Sequence, residues 1–255
     1  MTNQNDNKKH HRDIFIVWAL LTVIGVLVGL YATPWLMPKS ASHTMSMGIL
    51  TMVIFTVAAA PVAALVYAVC LYALTIWRHK GEGVPADGPA IRGNGPATVL
   101  WLVGSTVLTL FLLIWGLGLL GSDQSAGAKA SIEAANGGFA EITVDVTAQQ
   151  WLWSFSYPGT HVKSLDLYLP VNKDVEFNVT SKDVVHGFWI VQMGIKVNAN
   201  PGVITTTSVT PDKIGTYTIR CTEICGLDHA FMMTKVHVVS EADFQKWLAS
   251  QPTRI

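Results

Sequence analysis

Between Cys221 and Met232 the chain reads CTEICGLDHAFM: two thiols, an imidazole and a thioether within one short stretch. Thiolate and thioether are soft ligands and imidazole is borderline, a mixture that favours copper over magnesium, calcium or manganese. A single-copper electron-transfer site takes one Cys, two His and a weak axial Met. Here there is a second Cys, so that both sulfurs can bridge two copper ions, each also holding one terminal His. One electron shared over two metals through short covalent bridges spreads the geometric change on reduction, which suits a fast, low-strain relay. A second imidazole is then chemically required, and His186 in SKDVVHGFWI is the candidate. Two other readings stay open. A structural zinc site with two Cys and two His leaves Met232 unexplained. A Cys221–Cys225 disulfide on an oxidising side of a membrane leaves both His229 and Met232 unexplained. His161 and His237 read as ordinary structural histidines of a β domain.

Helical spacing would align these donors, but Gly226 and the flanking GTYTIR and MTKVHVV place them on a loop between two strands, which can wrap donors round a centre. From Phe139 to Ser240 the sequence is a series of short β-branched and aromatic runs, among them EITVDV, LDLYLP, VEFNVT, VVHGFWIV and TTTSVT. Turn residues such as Pro158-Gly159, Asn172-Lys173 and Pro211-Asp212 separate them, at the spacing of an antiparallel sandwich or barrel. Trp151, Trp153, Phe155 and Tyr157 alternate on one strand face, a stripe that ordinarily packs a core. Ser240 and Asp243 form an N-terminal capping pair for a short final helix whose Phe244, Trp247 and Leu248 share a face.

The chain as a whole is too apolar for an ordinary soluble protein: of 255 residues 50% are hydrophobic and 13% charged. Lys plus Arg balances Asp plus Glu at 17 each, so no global field draws the chain to nucleic acid. Ile14 to Tyr31, Gly48 to Trp77 and Ala97 to Gly121 are uncharged apolar runs, each at or above the roughly 18 residues that suggest a membrane-spanning helix. The second is long enough to need tilt or a kink, and Pro61 is the place for one; Cys70, in the same run, reads as a small core residue. Lys8, Lys9 and Arg12 precede the first run and Arg78, Lys80 and Arg92 follow the second, against Lys39 alone between them. Basic flanks stay inside, so the expected orientation puts residues 122–255 outside the cell membrane. The first run reads as a retained helix; the alternative is a leader removed near Ser40, Ala41 and Ser42, and either leaves the C-terminal domain on the same side. The expected domains are a membrane anchor over 1–121, a small-residue linker over 122–138 and the β domain over 139–255.

Together, the Cys-x-Glu-x-Cys-x-x-x-His-x-x-Met pattern, the upstream Asp-x-x-His, QQWLWSFSYPG and GIKVNANPG resemble the binuclear copper (CuA) subunit of haem-copper oxidases, cytochrome c oxidase subunit II. The resemblance covers roughly residues 48 to 250. It implies a fold of two to three transmembrane helices followed by a cupredoxin-like antiparallel β-sandwich and a short C-terminal helix. It also implies Cys221 and Cys225 as bridging copper ligands and His186 and His229 as terminal ones. Met232 is then a weak axial ligand to one copper and the backbone carbonyl of Glu223 a ligand to the other. The Glu223 carboxylate is expected at a magnesium site bordering the catalytic subunit, and Trp151 is expected to take electrons from cytochrome c.

The function this resemblance implies is that of the electron-receiving subunit of a terminal oxidase, not catalytic alone, which passes electrons to haem in a membrane-embedded partner that reduces oxygen to water. The alternatives are the copper subunit of a nitric oxide reductase-type complex and a membrane-anchored copper carrier. The sequence departs from the family in three places. Thr98 stands where many relatives carry a glutamate at a proton path, Lys196 to Val203 lacks an Asp and an Arg of the family pattern, and the first helix is additional. With these departures the chain resembles a divergent branch of that family. Between residues 140 and 240 nine acidic residues face seven basic ones, too small an excess to establish steering of a basic donor.

Overall fold

The computed structural model describes residues 4–78, 81, 93–135 and 142–251. Lys80 and Arg92 of the orientation argument, and residues 136–141 at the end of the expected linker and the start of the β domain, lie outside them. The chain divides into two compact units, Met1–Met37 with Leu50–Gly121, and Pro38–Ile49 with Ser122–Ile255.

In the first unit, α1 (Gln4–Leu27) continues through a π-helical turn, Val28–Ala32, into α2 (Thr33–Leu36). Two long helices follow, α3 (His43–Thr75), whose first residues belong to the second unit, and α4 (Gly95–Ala135), whose last residues do. Three stretches, Lys8–Leu36, His43–Thr75 and Gly95–Leu119, are long and apolar enough to cross a membrane. Helix α4 also runs through most of the segment expected as linker: SAGAKASIEAA is rich in alanine, the best helix former, and contains no proline. Helix α3 passes through Pro61, whose carbonyl accepts a hydrogen bond from Trp18 Nε1 at 2.9 Å. Small residues let α1 and the π-helical turn after it approach α3 closely: a Cβ added at Gly25 would stand 2.9 Å from Ala60 Cβ, and one at Gly29 2.8 Å from Val57 Cγ2. Cys70 is exposed on α3 and is not the core residue expected.

The second unit is a sandwich of two five-stranded sheets. Its strands are β1 (Ile142–Gln149), β2 (Leu152–Tyr157), β3 (Val162–Ser164), β4 (Leu167–Pro170), β5 (Val175–Ser181), β6 (His186–Ile190), β7 (Ile195–Ala199), β8 (Thr205–Val209), β9 (Gly215–Cys221) and β10 (Met233–Val239). One sheet has the order β3-β2-β1-β5-β8 and the other β4-β10-β9-β6-β7. Pairing is antiparallel except for β1 with β5 and β4 with β10, which run parallel. The period-2 pattern puts Val144, Val146, Trp153, Phe155, Phe177, Phe188, Ile219 and Val236 inside. Tyr157, also buried, donates its hydroxyl to the Tyr168 carbonyl at 2.9 Å. Helix α5 (Glu241–Ser250) is capped by Ser240, which accepts from the Asp243 N–H at 3.1 Å. Its Trp247 stacks on Tyr168 with centroids 4.2 Å apart.

Residues 38–49 are sewn into this unit. Ala41 N–H donates to the Gln192 carbonyl at 2.8 Å, and Asp212 N–H donates to the Ala41 carbonyl at 3.0 Å. Ser42 donates its hydroxyl to the Met193 carbonyl at 2.8 Å and accepts from the Met45 N–H at 3.1 Å, which caps the start of α3. Ala41, Ser42 and Met45 are buried. Gly194, at φ 69, leaves Met45 room: a Cβ there would stand 3.0 Å from the Met45 nitrogen.

Candidate metal centre

Two pieces of chain meet at one end of the sandwich. The first is the start of β6, whose leading residue is His186; the second is the loop from the end of β9 at Cys221 to the start of β10. Register brings them together, since Phe188 of β6 lies opposite Cys221 of β9. Backbone bonds then close the loop. Thr222 N–H donates to the Gly187 carbonyl and Cys221 N–H to the Met232 carbonyl, both at 3.1 Å. Gly187 is required here, because a side chain on it would collide with the Thr222 hydroxyl. Residues His229–Phe231 form a 3-10 turn, with the His229 N–H on the Gly226 carbonyl and the Met232 N–H on the His229 carbonyl.

The donors converge. Cys221 Sγ and Cys225 Sγ are 3.7 Å apart and unbonded, both free thiols, so the disulfide reading does not describe this structure. His186 Nδ1 lies 3.1 Å from Met232 Sδ and 3.9 Å from Cys221 Sγ. Cys225 Sγ lies 3.5 Å from His229 Nδ1 and 3.8 Å from Met232 Sδ. The Glu223 carbonyl oxygen is 3.3 Å from Cys221 Sγ. With metal–sulfur and metal–nitrogen bonds of about 2.3 and 2.0 Å, neighbouring donors on a tetrahedral ion stand about 3.5 to 3.8 Å apart. The side chains are thus arranged much as a bound soft ion would hold them. His186 and Met232 are fully buried and Cys225 nearly so. Among the described residues, His186, Cys221 and Cys225 form the one group of histidine, cysteine and carboxylate side chains close enough to share an ion.

Electrostatics fit a cation. Burial, with the Cys221 thiol beside it, pushes the Cys225 thiol up to about 11, so forming the thiolate at neutral pH calls for a positive charge in place of the proton. Burial also raises the Asp183 carboxyl. Hydrogen bonds from the Gln150 N–H at 2.7 Å, His186 Nε2 at 2.9 Å, the Val184 N–H at 2.7 Å and the Ser181 hydroxyl at 3.2 Å outweigh that effect and bring it down to about 2. An ionised carboxylate only accepts. The His186 proton therefore sits on Nε2, and the lone pair of Nδ1 faces the sulfurs.

Sequence reading picked out His186, Cys221, Glu223, Cys225, His229 and Met232, and the structure brings them together. Trp151 lies against the same loop: a Cβ on Gly226 would stand 3.1 Å from Trp151 Cζ2. Trp153, Phe155 and Tyr157 are core, as expected of the stripe. His161 and His237 stand apart from the centre, His161 exposed at a positive φ of 59 and His237 stacked on Tyr168 with centroids 4.5 Å apart. Asp183 was visible only as part of a pattern. Gln150, whose Nε2 donates to the Cys225 carbonyl at 2.7 Å, had no role in the sequence reading. Its one signal there was adjacency to Trp151.

Residues 163–239 match the family model described as cytochrome c oxidase subunit II, periplasmic domain. A cytochrome c oxidase subunit 2 of Thermostichus vulcanus is 30% identical over 207 residues, 65% of this chain and 63% of that protein. A probable cytochrome c oxidase subunit 2 of Rickettsia conorii is 33% identical over 133 residues, 44% of this chain and 42% of that protein. The chain thus spans less than two thirds of the length of either relative. The solved periplasmic domain of subunit II of cytochrome oxidase from Bradyrhizobium japonicum is 31% identical, with a TM-score of 0.42, and the alignment covers 44% of this chain and 94% of that one.

Proposed function

From the premise that the chain belongs to the cytochrome c oxidase subunit II family, we propose that it is the electron-receiving subunit of a membrane-bound haem-copper oxidase. Cys221 and Cys225 would bridge two copper ions, His186 and His229 would each hold one, and Met232 and the Glu223 carbonyl would complete the set. A copper pair so held supplies reversible one-electron chemistry with little rearrangement. The chain's own part is to fix the donors. Asp183 orients His186, the β6–β9 register sets His186 beside Cys221, and burial excludes water.

Trp151, against the glycine that follows Cys225, is the place for electrons to arrive from cytochrome c. With copper bound, the centre would supply one-electron transfer from that donor, oxidised by one electron at a time, to haem in a separate catalytic subunit that would reduce oxygen to water. Three apolar helices anchor the chain in the cell membrane, with the sandwich on the outer side. The Glu223 carboxylate belongs to no cation-binding group among the described residues; magnesium there would draw its other ligands from the catalytic subunit.

The observation that carries this reading is the convergence of five soft or borderline donors at 3.1 to 3.9 Å. Electron paramagnetic resonance on the full chain, purified in detergent and loaded with copper, tests it. Hyperfine structure from one electron shared by two copper nuclei is expected, and Cys225→Ser should reduce it to a one-copper signal or abolish binding. A one-copper spectrum from the unaltered chain would overturn the proposal. Oxygen consumption by the purified complex, set against nitric oxide turnover, identifies the acceptor.

A further inference from the structure

We infer that Gln150 is a positioning residue for electron input, clamping Trp151 to the loop that carries Cys225; this rests on the copper reading of the site. Gln150 sits between the end of β1 and Trp151, and it bonds in two directions. Its side-chain Nε2 donates to the Cys225 carbonyl at 2.7 Å. Its backbone N–H donates to Asp183 Oδ2 at 2.7 Å, and Asp183 Oδ1 lies 2.9 Å from His186 Nε2. One residue is therefore tied directly to one candidate ligand and through a carboxylate to another, and the next residue in the chain is the half-buried Trp151.

Among the described residues the indole has no polar anchor of its own. Trp151 Nε1 is buried without a hydrogen-bond partner among them, so packing and the bonds of neighbouring residues hold the ring. Gly226 provides the seat. A Cβ there would lie 2.9 Å from Gln150 Nε2, 3.1 Å from Trp151 Cζ2 and 3.3 Å from Trp151 Nε1, which shows that the amide and the indole rest side by side on the residue after Cys225. If the amide lets go, nothing polar keeps the ring on that seat. The electron balance is unaffected: the donor loses one electron, the centre gains one, and no proton moves at Gln150. What changes is the distance and orientation over which the electron crosses.

Gln150→Met in the full-length chain keeps the side-chain length and removes the donor; Gln150→Asn keeps the amide but shortens its reach, and serves if the first variant does not fold. Three quantities are read. The first is copper content with its paramagnetic spectrum. The second is the 19F resonance of 5-fluorotryptophan at position 151, assigned by its loss in Trp151→Phe, in metal-free and copper-loaded protein. The third is the single-turnover rate of reduction by ferrocytochrome c and, separately, by dithionite.

The two-copper spectrum and the dithionite rate should be retained, the Trp151 resonance should shift or broaden with and without metal, and the cytochrome-driven rate should fall at least about tenfold, as misplacement of a reacting group by an ångström can cause. An unchanged resonance with an unchanged cytochrome rate overturns the proposal. So does equal slowing with both reductants accompanied by a changed copper spectrum, which is the mark of a purely structural role. Failure of the copper reading is distinguishable, because the unaltered chain would then itself lack the two-copper spectrum.

Discussion

Asp183 Oδ1 lies 2.9 Å from His186 Nε2, on the side of the ring away from the sulfurs. The carboxylate fixes both the tautomer and the tilt of an imidazole that is otherwise enclosed in the core. Outer partners of this kind are typically worth about 10- to 100-fold in metal affinity. Asp183→Asn is expected to lower copper retention in that range, measured by competition with a chelator, while Cys221, Cys225 and His229 still bind. Acid stability moves with it. The folded carboxyl is held down at about 2 against an ordinary 3.8, so its contribution is present above the ordinary value and is lost as pH falls through the folded one. Metal-free wild type should lose stability between about pH 4 and 2. The Asn variant should show a flatter profile in that window, read by circular dichroism.

The thiol at Cys225 titrates in the opposite direction. Held up at about 11 against an ordinary 9.0 by burial and then by Cys221, it keeps its proton through the neutral range in metal-free protein. Because the folded form holds that proton more tightly, the stabilisation is complete below the ordinary value and is lost as pH rises through about 11. Iodoacetamide labelling at Cys225, followed by peptide mass spectrometry, should therefore be slow at pH 7 and climb steeply towards pH 11. Copper loading at neutral pH should protect the thiol and release protons that a weakly buffered indicator detects.

The donor set was legible in the sequence because its chemistry is local: Cys221, Cys225, His229 and Met232 lie on one loop, and the strand pattern on either side marks that loop as a turn between neighbours. The core of the sandwich was legible for the same reason, since alternation in Trp153, Phe155 and Tyr157 is a property of a single strand. What could not be read is what depends on pairing at long range. The parallel registers of β1 with β5 and β4 with β10 leave no mark on either partner alone. The three-residue β3, Val162–Ser164, is too short to show a pattern of its own and is set by its pairing with β2. Gln150 carries no signal beyond its adjacency to Trp151, because its bond to the Cys225 carbonyl, far along the chain, exists only in the folded chain. Residues 38–49 show the same limit. Ser40, Ala41 and Ser42 stand out in the sequence only as small residues near which a leader could be removed, yet Ala41 and Ser42 are buried in the sandwich.

That buried segment makes the sandwich depend on chain far upstream of it. Ser42→Ala removes the hydroxyl bond to the Met193 carbonyl and the cap on α3, and should cost about 1 to 2 kcal/mol. The loss would appear as a lower midpoint in thermal unfolding of the detergent-solubilised chain. A chain that starts at Ser122 should unfold at a lower temperature than one in which residues 38–49 are fused back, because Ala41, Ser42 and Met45 leave apolar and polar groups of the sandwich uncovered. Equal midpoints for the two would show that the segment only rests on the surface.

Gly226 concentrates two demands in one position. Its φ of 123 lies where side chains are strained, and a methyl group would press on Gln150 Nε2 and the Trp151 indole together. Gly226→Ala should therefore do more than weaken the fold. It should lift the indole from the residue after Cys225 and stretch the 2.7 Å bond from Gln150 to the Cys225 carbonyl. A strained non-glycine backbone of this kind costs on the order of 1 to 3 kcal/mol, which most folded domains survive. The variant should thus still bind copper, with a lowered unfolding midpoint and altered hyperfine structure, and reduction by ferrocytochrome c should slow by at least about tenfold. Wild-type rates in a folded Gly226→Ala protein would mean that contact between Trp151 and the loop does not limit how electrons arrive.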